Sequence, residues 1–180
     1  MEYYEYEEEE LIKMIKSGSV FVYPTDTVYG LGCNALNESS VSRIRLIKAR
    51  EKEKPLSVIA PSMQWIKDNL ITDKIPIENY LPGPYTVVLW KKDKSFMNHV
   101  SASESLGVRI PKNDFTTLVQ KAGVPFITTS LNLIGEKPAA SLFEVKTEIL
   151  SGVDIVLDGG TLPGTPSTII MPNGEELKRD

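Results

Sequence analysis

Several short clusters of polar residues in this sequence contain side chains that could bind or polarise a small ligand. The first is Thr25, Asp26 and Thr27, which follow an apolar stretch and precede Gly30 and Gly32. Two hydroxyls and a carboxylate could line a pocket there, because glycines let the backbone approach a ligand closely. The same residue types are also common in ordinary turns, so this cluster alone leaves both interpretations open.

The second and third clusters are cationic. Lys48 and Arg50 come at the end of a predicted helix, and Lys54 follows in the next loop. A lysine and an arginine can bind a polyphosphate together, although cations also stabilise a helix C-terminus. Arg109 lies in the apolar run 107–111, where burial of a guanidinium is costly without an anion. Either a substrate carboxylate or an internal Asp or Glu would satisfy it.

The fourth cluster ends a predicted strand with three hydroxyls and an amide, from Thr128, Thr129, Ser130 and Asn132. These groups are neutral donors and acceptors of the kind that bind a phosphate or the edge of a nucleobase. A weaker fifth cluster, residues 164–168, again places small polar residues ahead of a strand. The clusters together therefore predict a ligand site built from several strand ends.

Several familiar sites have no signature in this sequence. There is no Gly-x-x-x-x-Gly-Lys-Ser/Thr loop and no Gly-x-Gly-x-x-Gly turn, which argues against P-loop and Rossmann nucleotide binding. Cys33 and His99 are the only residues of their types, so a zinc site or a Cys–His dyad is poorly supported. His99 lies in a polar stretch, and we expect it at the solvated surface.

Composition indicates an ordinary globular protein. The 180 residues, 41% of them apolar, predict a single domain over 1–180. A lone cysteine and an acidic N-terminus predict a cytoplasmic protein, and no apolar run is long enough to span a membrane. The net charge of −4 argues against a dedicated nucleic-acid binder. Six basic residues within 43–54 predict a local cationic patch that suits a small anion.

Periodicity and turn residues predict the elements that position these clusters. Asn37, Ser62 and Ser141 are predicted helix N-caps, the last with Glu144 as a capping box. The predicted strands 85–90 and 106–110 have no helix between them, which favours a mixed twisted α/β sheet flanked by helices. The predicted helices are 5–16, 37–48, a short one after 62, 114–122 and 141–150. The other predicted strands are 19–23, 56–60, 126–130, 153–157 and 167–171.

Seven motifs then occur in a fixed order along the chain. They are PTDTVYGLG at 24–32, Lys-x-Arg at 48–50, Lys-Pro-Leu at 54–56, Pro-Gly-Pro-Tyr-Thr at 82–86, Gly-Val-Arg-Ile-Pro at 107–111, Thr-Ser-x-Asn at 129–132 and Pro-Ser-Thr-Ile at 166–169. With these motifs, over about residues 17–170, the sequence resembles the YrdC/TsaC-like family of threonylcarbamoyl-AMP synthases. The likeness is to its single-domain type, without the extra C-terminal domain of longer members.

The resemblance implies a fold and a set of binding residues. The fold would be an open twisted α/β sheet around a central positively charged cavity. L-Threonine would be bound, with its carboxylate on the arginine, by Thr27, Arg109 and Ser167. ATP would be bound by Lys48, Arg50, Lys54, Ser105, Thr128, Ser130, Asn132, Pro138 and Arg179.

The resemblance also implies the reaction and the partners. The amino group of threonine takes up bicarbonate, and the resulting carbamate attacks the α-phosphorus of ATP and expels pyrophosphate. No side chain acts as a covalent nucleophile, so the protein would position and neutralise two anions. Mg²⁺ would be held mainly by phosphate oxygens. A separate transferase would use the product to modify tRNA, which itself would contact this chain weakly or indirectly.

Two positions depart from the family pattern. Leu131 stands where many members have alanine, beside the predicted nucleotide site, and Ile59 stands where some members offer a histidine to threonine. A related group, the YciO-like proteins, shares the Thr-Ser-Leu sequence but lacks the Lys-x-Arg and Ser-x-Asn pairs. A non-catalytic nucleotide- or RNA-binding module of the same fold is therefore one alternative. An acidic scaffold that docks a basic partner through its N-terminal glutamates is another, and the two pairs favour the synthase over both.

Overall fold

The computed structural model describes residues 6–51, 53–133 and 136–178 of the chain. None of the helices in these ranges is long and apolar enough to cross a bilayer. The helices are α1 Glu8–Ser17, α2 Glu38–Ile47, α3 Met63–Asn69, α4 Asp114–Ala122 and α5 Thr147–Leu150. The strands are β1 Phe21–Tyr23, β2 Gly30–Gly32, β3 Ser57–Ile59, β4 Leu70–Ile71, β5 Tyr85–Lys91, β6 Ser105–Arg109, β7 Phe126–Ser130, β8 Ile155–Val156, β9 Thr168–Ile170 and β10 Glu176–Leu177.

The strands form one mixed sheet in the order β10-β9-β5-β6-β3-β7-β2-β1-β8, with β4 paired to one end of β5. The β5–β6 pair is antiparallel, whereas β3–β6, β5–β9 and β1–β8 are parallel. The direct connection between β5 and β6, without a helix between them, produces an antiparallel pair in this sheet. The mixed α/β sheet is confirmed.

Local capping chemistry explains why several predicted helices begin where they do. The side chain of Asn37 accepts a hydrogen bond from the Ser40 backbone at the start of α2, and that of Ser62 accepts one at the start of α3. Helix α1 ends at Gly18, whose φ of 93° is the left-handed conformation that a glycine adopts without strain. Helix α4 matches the predicted range 114–122. Residue 5, the predicted start of α1, lies outside the described residues.

The two faces of the central strands differ in chemistry, and this difference positions the site. Neighbouring strands place residues of one face side by side, because side chains alternate along a strand. One face is polar near its middle and carries Ser57, Thr86 and Arg109. The other face is buried in the main hydrophobic core and carries Val58, Val87, Leu89, Leu106 and Val108.

The predicted helix 141–150 is wrong. Residues Leu142–Glu144 form a 3-10 turn, and α5 begins only after an extended break at Val145 and Lys146. The carboxylate of Glu144 accepts a hydrogen bond from the Ala140 backbone at 2.8 Å rather than from Ser141, so the capping box does not close. Lys146 forms an ion pair with Glu136, which ties the break to the preceding loop.

Three short strands, β2, β4 and β10, were missed by the sequence analysis. Strand β2 is the most instructive, because its two glycines suggested a turn or a close approach to a ligand. A Cβ on Gly32 would lie 1.9 Å from the Ile127 carbonyl oxygen, and one on Gly30 would lie 2.6 Å from the Tyr23 ring. These glycines let a central strand pack closely, and only the tertiary structure shows those neighbours.

Candidate functional site

A cavity of about 130 Å³ opens on the polar face of the sheet. It lies among β3, β5, β6 and β7 and is closed on one side by the segment that joins β1 to β2. Side chains from all five polar clusters of the sequence line this cavity. The predicted site residues that line the cavity are Thr27, Arg50, Arg109, Thr128, Ser130 and Ser167.

Arg109 forms one wall of the cavity. Its Nη2 donates to the Asp26 carboxylate at 2.8 Å and to the Thr27 hydroxyl at 3.3 Å. The other Asp26 oxygen accepts from the Lys112 backbone at 3.0 Å, so this carboxylate is held from two sides. Burial lowers the pKa of Arg109 and the nearby Asp26 raises it, but a guanidinium stays protonated in proteins. The internal acid considered from the sequence is therefore present.

Arg109 nevertheless retains hydrogen-bonding capacity toward the cavity. Its Nε is buried, and among the described residues it has no hydrogen-bond partner. Buried donors are nearly always paired, so an orphaned one on a cavity wall indicates a missing acceptor. A carboxylate that approaches Arg109 could accept from this N–H, because a guanidinium offers donors along more than one edge.

Two pairs of hydroxyls complete this end of the cavity. Thr25 and Thr27 lie 2.9 Å apart through their Oγ1 atoms, and Thr86 and Ser167 lie 2.8 Å apart through their Oγ atoms. All four side chains are buried. Each hydroxyl can rotate to donate or accept, so these pairs can adapt to an amino or a hydroxyl group beside Arg109.

The opposite end of the cavity joins the predicted Lys-x-Arg and Ser-x-Asn pairs. The Lys48 ammonium donates to the Ser130 carbonyl, and to the Asn132 carbonyl and side-chain oxygen at 2.9 and 3.1 Å. The Ser130 hydroxyl donates to the same Asn132 side-chain oxygen at 2.6 Å. Lys48 is buried and thus ties the end of α2 to the end of β7.

Arg50 points into the cavity from the loop after α2. Its Nη2 donates to the Pro55 carbonyl at 2.8 Å, while its buried Nε has no partner among the described residues. Burial lowers the pKa of Arg50. Ala49, between it and Lys48, has a φ of 47°, a left-handed conformation that is uncommon for a non-glycine residue. This turn directs Lys48 and Arg50 to different partners.

Among the described residues of 43–54, the predicted cationic patch does not form a continuous surface, and Lys52 lies outside the described residues. Arg43 pairs with Asp154 at 2.9 Å, and Lys54 is exposed beside Glu51 at 3.4 Å. Arg45 is buried, and its Nη atoms donate to four backbone carbonyls. The segment is therefore divided between structural pairs and the cavity. The sequence analysis missed the role of Arg45, since the charge pattern of the segment carries no signal for it.

Other predicted site residues lie outside the lining of the cavity. Ser105 lies at the opposite end of β6 from Arg109, and Pro138 is half-buried in the loop after β7. Lys54 is on the surface, and Arg179 falls outside the described residues. Thr86 also lines the cavity, although it was not a predicted site residue. Its polar side chain in an otherwise apolar strand could have indicated that role.

The two departures from the family pattern are both buried side chains. Leu131 is packed in the main hydrophobic core, and Ile59 lies in the second core cluster with Phe115 and Phe126. Neither side chain is among those that line the cavity. Leu131 therefore contributes to packing, whereas Ile59 pairs with Arg109 across the parallel β3–β6 ladder and lies beside it on the same face of the sheet.

The lone histidine and cysteine are not where a reactive pair would require them. The prediction that His99 is solvated is wrong, because its Nε2 lies 2.7 Å from the Ala35 carbonyl and the ring is half-buried. Cys33 is fully buried, and burial raises the pKa of its thiol to about 12. Across the described ranges no three His, Cys, Asp or Glu side chains are grouped as metal ligands.

Comparison with known proteins agrees with this geometry. The Sua5/yciO/yrdC family model, described as Telomere recombination, matches residues 13–179. A protein of Methanocaldococcus jannaschii, provisionally named a threonylcarbamoyl-AMP synthase, is 37% identical, with 97% of this chain and 87% of that protein covered.

Two crystal structures share the fold. P. abyssi Sua5 complexed with L-threonine superposes with a TM-score of 0.81 at 26% identity, covering 93% of this chain and 52% of that one. This chain thus spans about half the length of that relative. E. coli YciO superposes with a TM-score of 0.79 at 25% identity, covering 96% of this chain and 84% of that one. The chain belongs to the Sua5/YciO/YrdC family.

Proposed function

We propose that this chain is an L-threonylcarbamoyladenylate synthase, a nucleotidyltransferase that joins L-threonine, bicarbonate and ATP. The observation that carries the proposal is a pair of arginines on one small cavity, Arg50 and Arg109, each with a buried Nε that has no hydrogen-bond partner among the described residues. Two orphaned cationic donors indicate two anionic acceptors held close together. The family membership and the names of its relatives support the same reaction.

L-Threonine would occupy the Arg109 end of the cavity. Its carboxylate would accept from the unpaired Nε of Arg109, and the hydroxyls of Thr27 and Ser167 would contact the amino acid. At about 130 Å³ the cavity is smaller than the pockets of roughly 300–1,000 Å³ that enclose drug-sized ligands. A small amino acid fits this volume better than a complete nucleotide does.

The triphosphate of ATP would lie toward the other end, beside Arg50. The Ser130 and Thr128 hydroxyls face the same space, and Lys48 and Asn132 lie just behind Ser130. Lys54, Ser105, Pro138 and Arg179 remain proposed ATP contacts on the strength of the resemblance. We assign Lys48 both a structural and an electrostatic role, because its charge is buried next to the phosphate end.

The proposed chemistry needs positioning and charge neutralisation rather than a covalent intermediate. The threonine amino group and bicarbonate form a carbamate with loss of water, and a carbamate oxygen then attacks the α-phosphorus while pyrophosphate leaves. Arg50 would stabilise the charge that grows on pyrophosphate, and Arg109 would hold threonine in line. Mg²⁺ would be held mainly by the phosphates, since both oxygens of Asp26 already accept hydrogen bonds.

The product, a mixed anhydride, would pass to a separate transferase that modifies tRNA. Within the described part of segment 43–54, Arg43, Arg45 and Lys48 are paired internally, which supports weak or indirect contact between tRNA and this chain.

Pyrophosphate release by the purified protein tests the proposal. With ATP, Mg²⁺, L-threonine and bicarbonate, we expect release that depends on both threonine and bicarbonate. ATP hydrolysis at the same rate without threonine would contradict the synthase. A protein that binds ATP but releases no pyrophosphate from the full mixture would instead be the non-catalytic module of the same fold.

A further inference from the structure

The loop after α2 carries Arg50, which the proposed function assigns to the phosphates of ATP. Its described residues, 49–51 and 53–55, belong to no helix or strand, and we call them the Arg50 loop. The Arg50 side chain is bonded to this loop itself, because its Nη2 donates to the Pro55 carbonyl at 2.8 Å. The direction of the Arg50 side chain therefore depends on the groups that hold the backbone of the loop.

We propose that Arg45 is a positioning residue, which holds the Arg50 loop in the shape that Arg50 needs to bind phosphate. Its Nη1 donates to the Glu51 and Lys54 carbonyls at 3.1 and 2.8 Å, so one nitrogen reaches two points of the loop. The Lys54 carbonyl belongs to the peptide bond with Pro55, the residue that accepts from Arg50. The inference rests on the proposed function, because it requires the phosphates of ATP at Arg50.

The other terminal nitrogen of Arg45 joins the loop to the segment that precedes β6. Nη2 donates to the His99 and Val100 carbonyls at 3.2 and 3.0 Å. The Val100 carbonyl also accepts from the backbone of Leu56 at 3.0 Å, and Leu56 follows the loop and lines the polar cavity. A planar guanidinium can hold two backbone segments at once, because it offers several donors in a fixed geometry. Arg45 therefore holds both the loop and the point where the loop enters β3.

Arg45 can position the loop because its own backbone belongs to a packed helix. It lies in the last turn of α2, which packs on the main hydrophobic core through Val41 and Ile44. Its carbonyl also accepts from the Arg50 backbone at 2.9 Å. Arg45 thus contacts the beginning of the loop through its backbone and the end of the loop through its side chain. Groups carried by helices hold a site more precisely than groups carried by loops.

Arg45 acts on the loop rather than on the ligand. It does not line the polar cavity but a separate cavity of about 370 Å³, together with Glu53 and His99. Burial lowers the pKa of Arg45, and the nearby charge of Arg50 lowers it further, while Glu53 raises it. Because guanidinium groups stay protonated in proteins, Arg45 holds Arg50 close to a like charge. A phosphate bound at Arg50 would offset that repulsion.

A double-mutant cycle in the full chain tests whether Arg45 acts through Arg50. Arg45→Lys keeps the positive charge but replaces the planar fork by a compact ammonium, so it tests position rather than charge. By calorimetry, we expect Arg45→Lys to weaken the binding of ATP and of tripolyphosphate about tenfold and to leave the binding of L-threonine unchanged. In the Arg50→Ala background, the same substitution should weaken ATP binding no further.

Arg43→Lys is the matched control, because Arg43 lies on the same helix but forms an exposed pair with Asp154. We expect it to change neither ATP nor threonine binding in either background. Steady-state kinetics give a second readout, in which Arg45→Lys should raise the KM for ATP and lower kcat, while the KM for L-threonine stays the same. A purely structural arginine would lower the melting temperature and leave these three parameters of the folded protein unchanged.

Each variant must be folded during these measurements. Melting curves identify a temperature at which all variants are folded, and binding is measured there. If Arg45→Lys does not fold, Arg45→Gln repeats the cycle, since its amide also donates to a carbonyl. Failure of both variants to fold would show that Arg45 serves folding alone and would overturn the proposal.

Other binding results would also overturn the proposal. If Arg45→Lys binds ATP like the parent, or weakens ATP binding equally with and without Arg50, then Arg45 does not position Arg50, and the proposed function still stands. Equal weakening of ATP and L-threonine binding would show a general loss of structure instead. If the folded parent does not bind ATP at all, the role of Arg45 and the proposed function both fall.

Discussion

Arg45 and Arg109 are equally buried, at 6% exposure each, yet their surroundings differ in kind. The Nη atoms of Arg45 donate to the carbonyls of residues 51, 54, 99 and 100 at 2.8 to 3.2 Å. Arg109 is held by one carboxylate and one hydroxyl on Nη2, and its Nε, beside a cavity, has no hydrogen-bond partner in the part of the chain that the structure describes. Burial alone therefore does not distinguish a structural arginine from a ligand-binding one.

Whether the donors of a buried arginine are all paired is the better criterion. The Nη donors of Arg45 are taken up by backbone carbonyls from two loops, so its charge stabilises the fold. Arg109 has spare capacity directed at an opening, so its charge is available to a ligand. The loop that carries Arg50 is anchored by Arg45, which makes the structural arginine a support for the functional ones.

Removal of Arg45 should give the largest loss of stability. Arg45→Met keeps much of the apolar stem but leaves the carbonyls of Lys54 and His99 without a donor among the described residues, at about 1–3 kcal/mol for each that water cannot reach. The other two carbonyls also accept from backbone N–H groups. We expect the free energy of unfolding in urea to fall by about 3–5 kcal/mol. Arg43→Met, on the same helix, is the control, because its exposed pair with Asp154 is worth about 0–1 kcal/mol. Equal losses for the two variants would show that Arg45 is not the anchor.

Removal of Arg109 should instead have its largest effect on the binding of L-threonine. Arg109→Ala should weaken L-threonine binding by about 2–5 kcal/mol, because a buried charge pair with the carboxylate is lost. The single variant also leaves Asp26 unpaired, which destabilises the fold. The double variant Asp26→Asn/Arg109→Gln removes both charges, so it should regain stability in melting curves but not threonine affinity. Normal threonine binding by this folded double variant would refute the carboxylate site.

Substitutions of Lys48 and Arg50 test the same distinction between structural and ligand-binding cations at the phosphate end of the cavity. Arg50→Ala loses one hydrogen bond to Pro55, so stability should change by about 1 kcal/mol or less, while ATP affinity and kcat both fall. Lys48→Ala should lower ATP affinity and kcat too, but it also removes three buried contacts to Ser130 and Asn132 and should lower the melting temperature. Steady-state kinetics and melting curves on both variants separate these roles. A stable Lys48→Ala with unaltered kinetics would contradict both assignments.

Substitution of Cys33 should have the smallest effect on stability. Its thiol is a buried neutral group, in contrast to the buried cations. Burial raises its pKa from 9.0 to about 12, so above pH 9 the thiol ionises in the unfolded chain but not in the folded one. Its contribution to stability is complete below pH 9 and is lost as the pH rises toward 12, by about 1.4 kcal/mol between pH 8 and 10. The stability difference between the parent and Cys33→Ser, measured in urea, should shrink by that amount. A constant difference would show that the thiol is accessible to water.

Much of the local structure was predictable because its causes are local. Asn37 and Ser62 cap helices through bonds to residues three positions away, and Gly18 ends a helix by its own conformational freedom. The polar clusters could also be recognised in the sequence, because hydroxyls and arginines at strand ends interrupt the apolar pattern of the strands. The helix after Ser141 failed because the side chain of Glu144 bonds one residue earlier than the capping box requires.

The sequence by itself determined which residue types meet at the site and the kind of sheet that brings them together. Periodicity and turn residues specified the elements, and Thr27, Arg109 and Ser167 were assigned to one pocket through the resemblance. Only the tertiary structure decided that Arg45 is a structural anchor and that Lys48 bonds to the end of β7. These outcomes depend on partners between 6 and 84 positions away in the chain, so burial and pairing could not be read from local patterns.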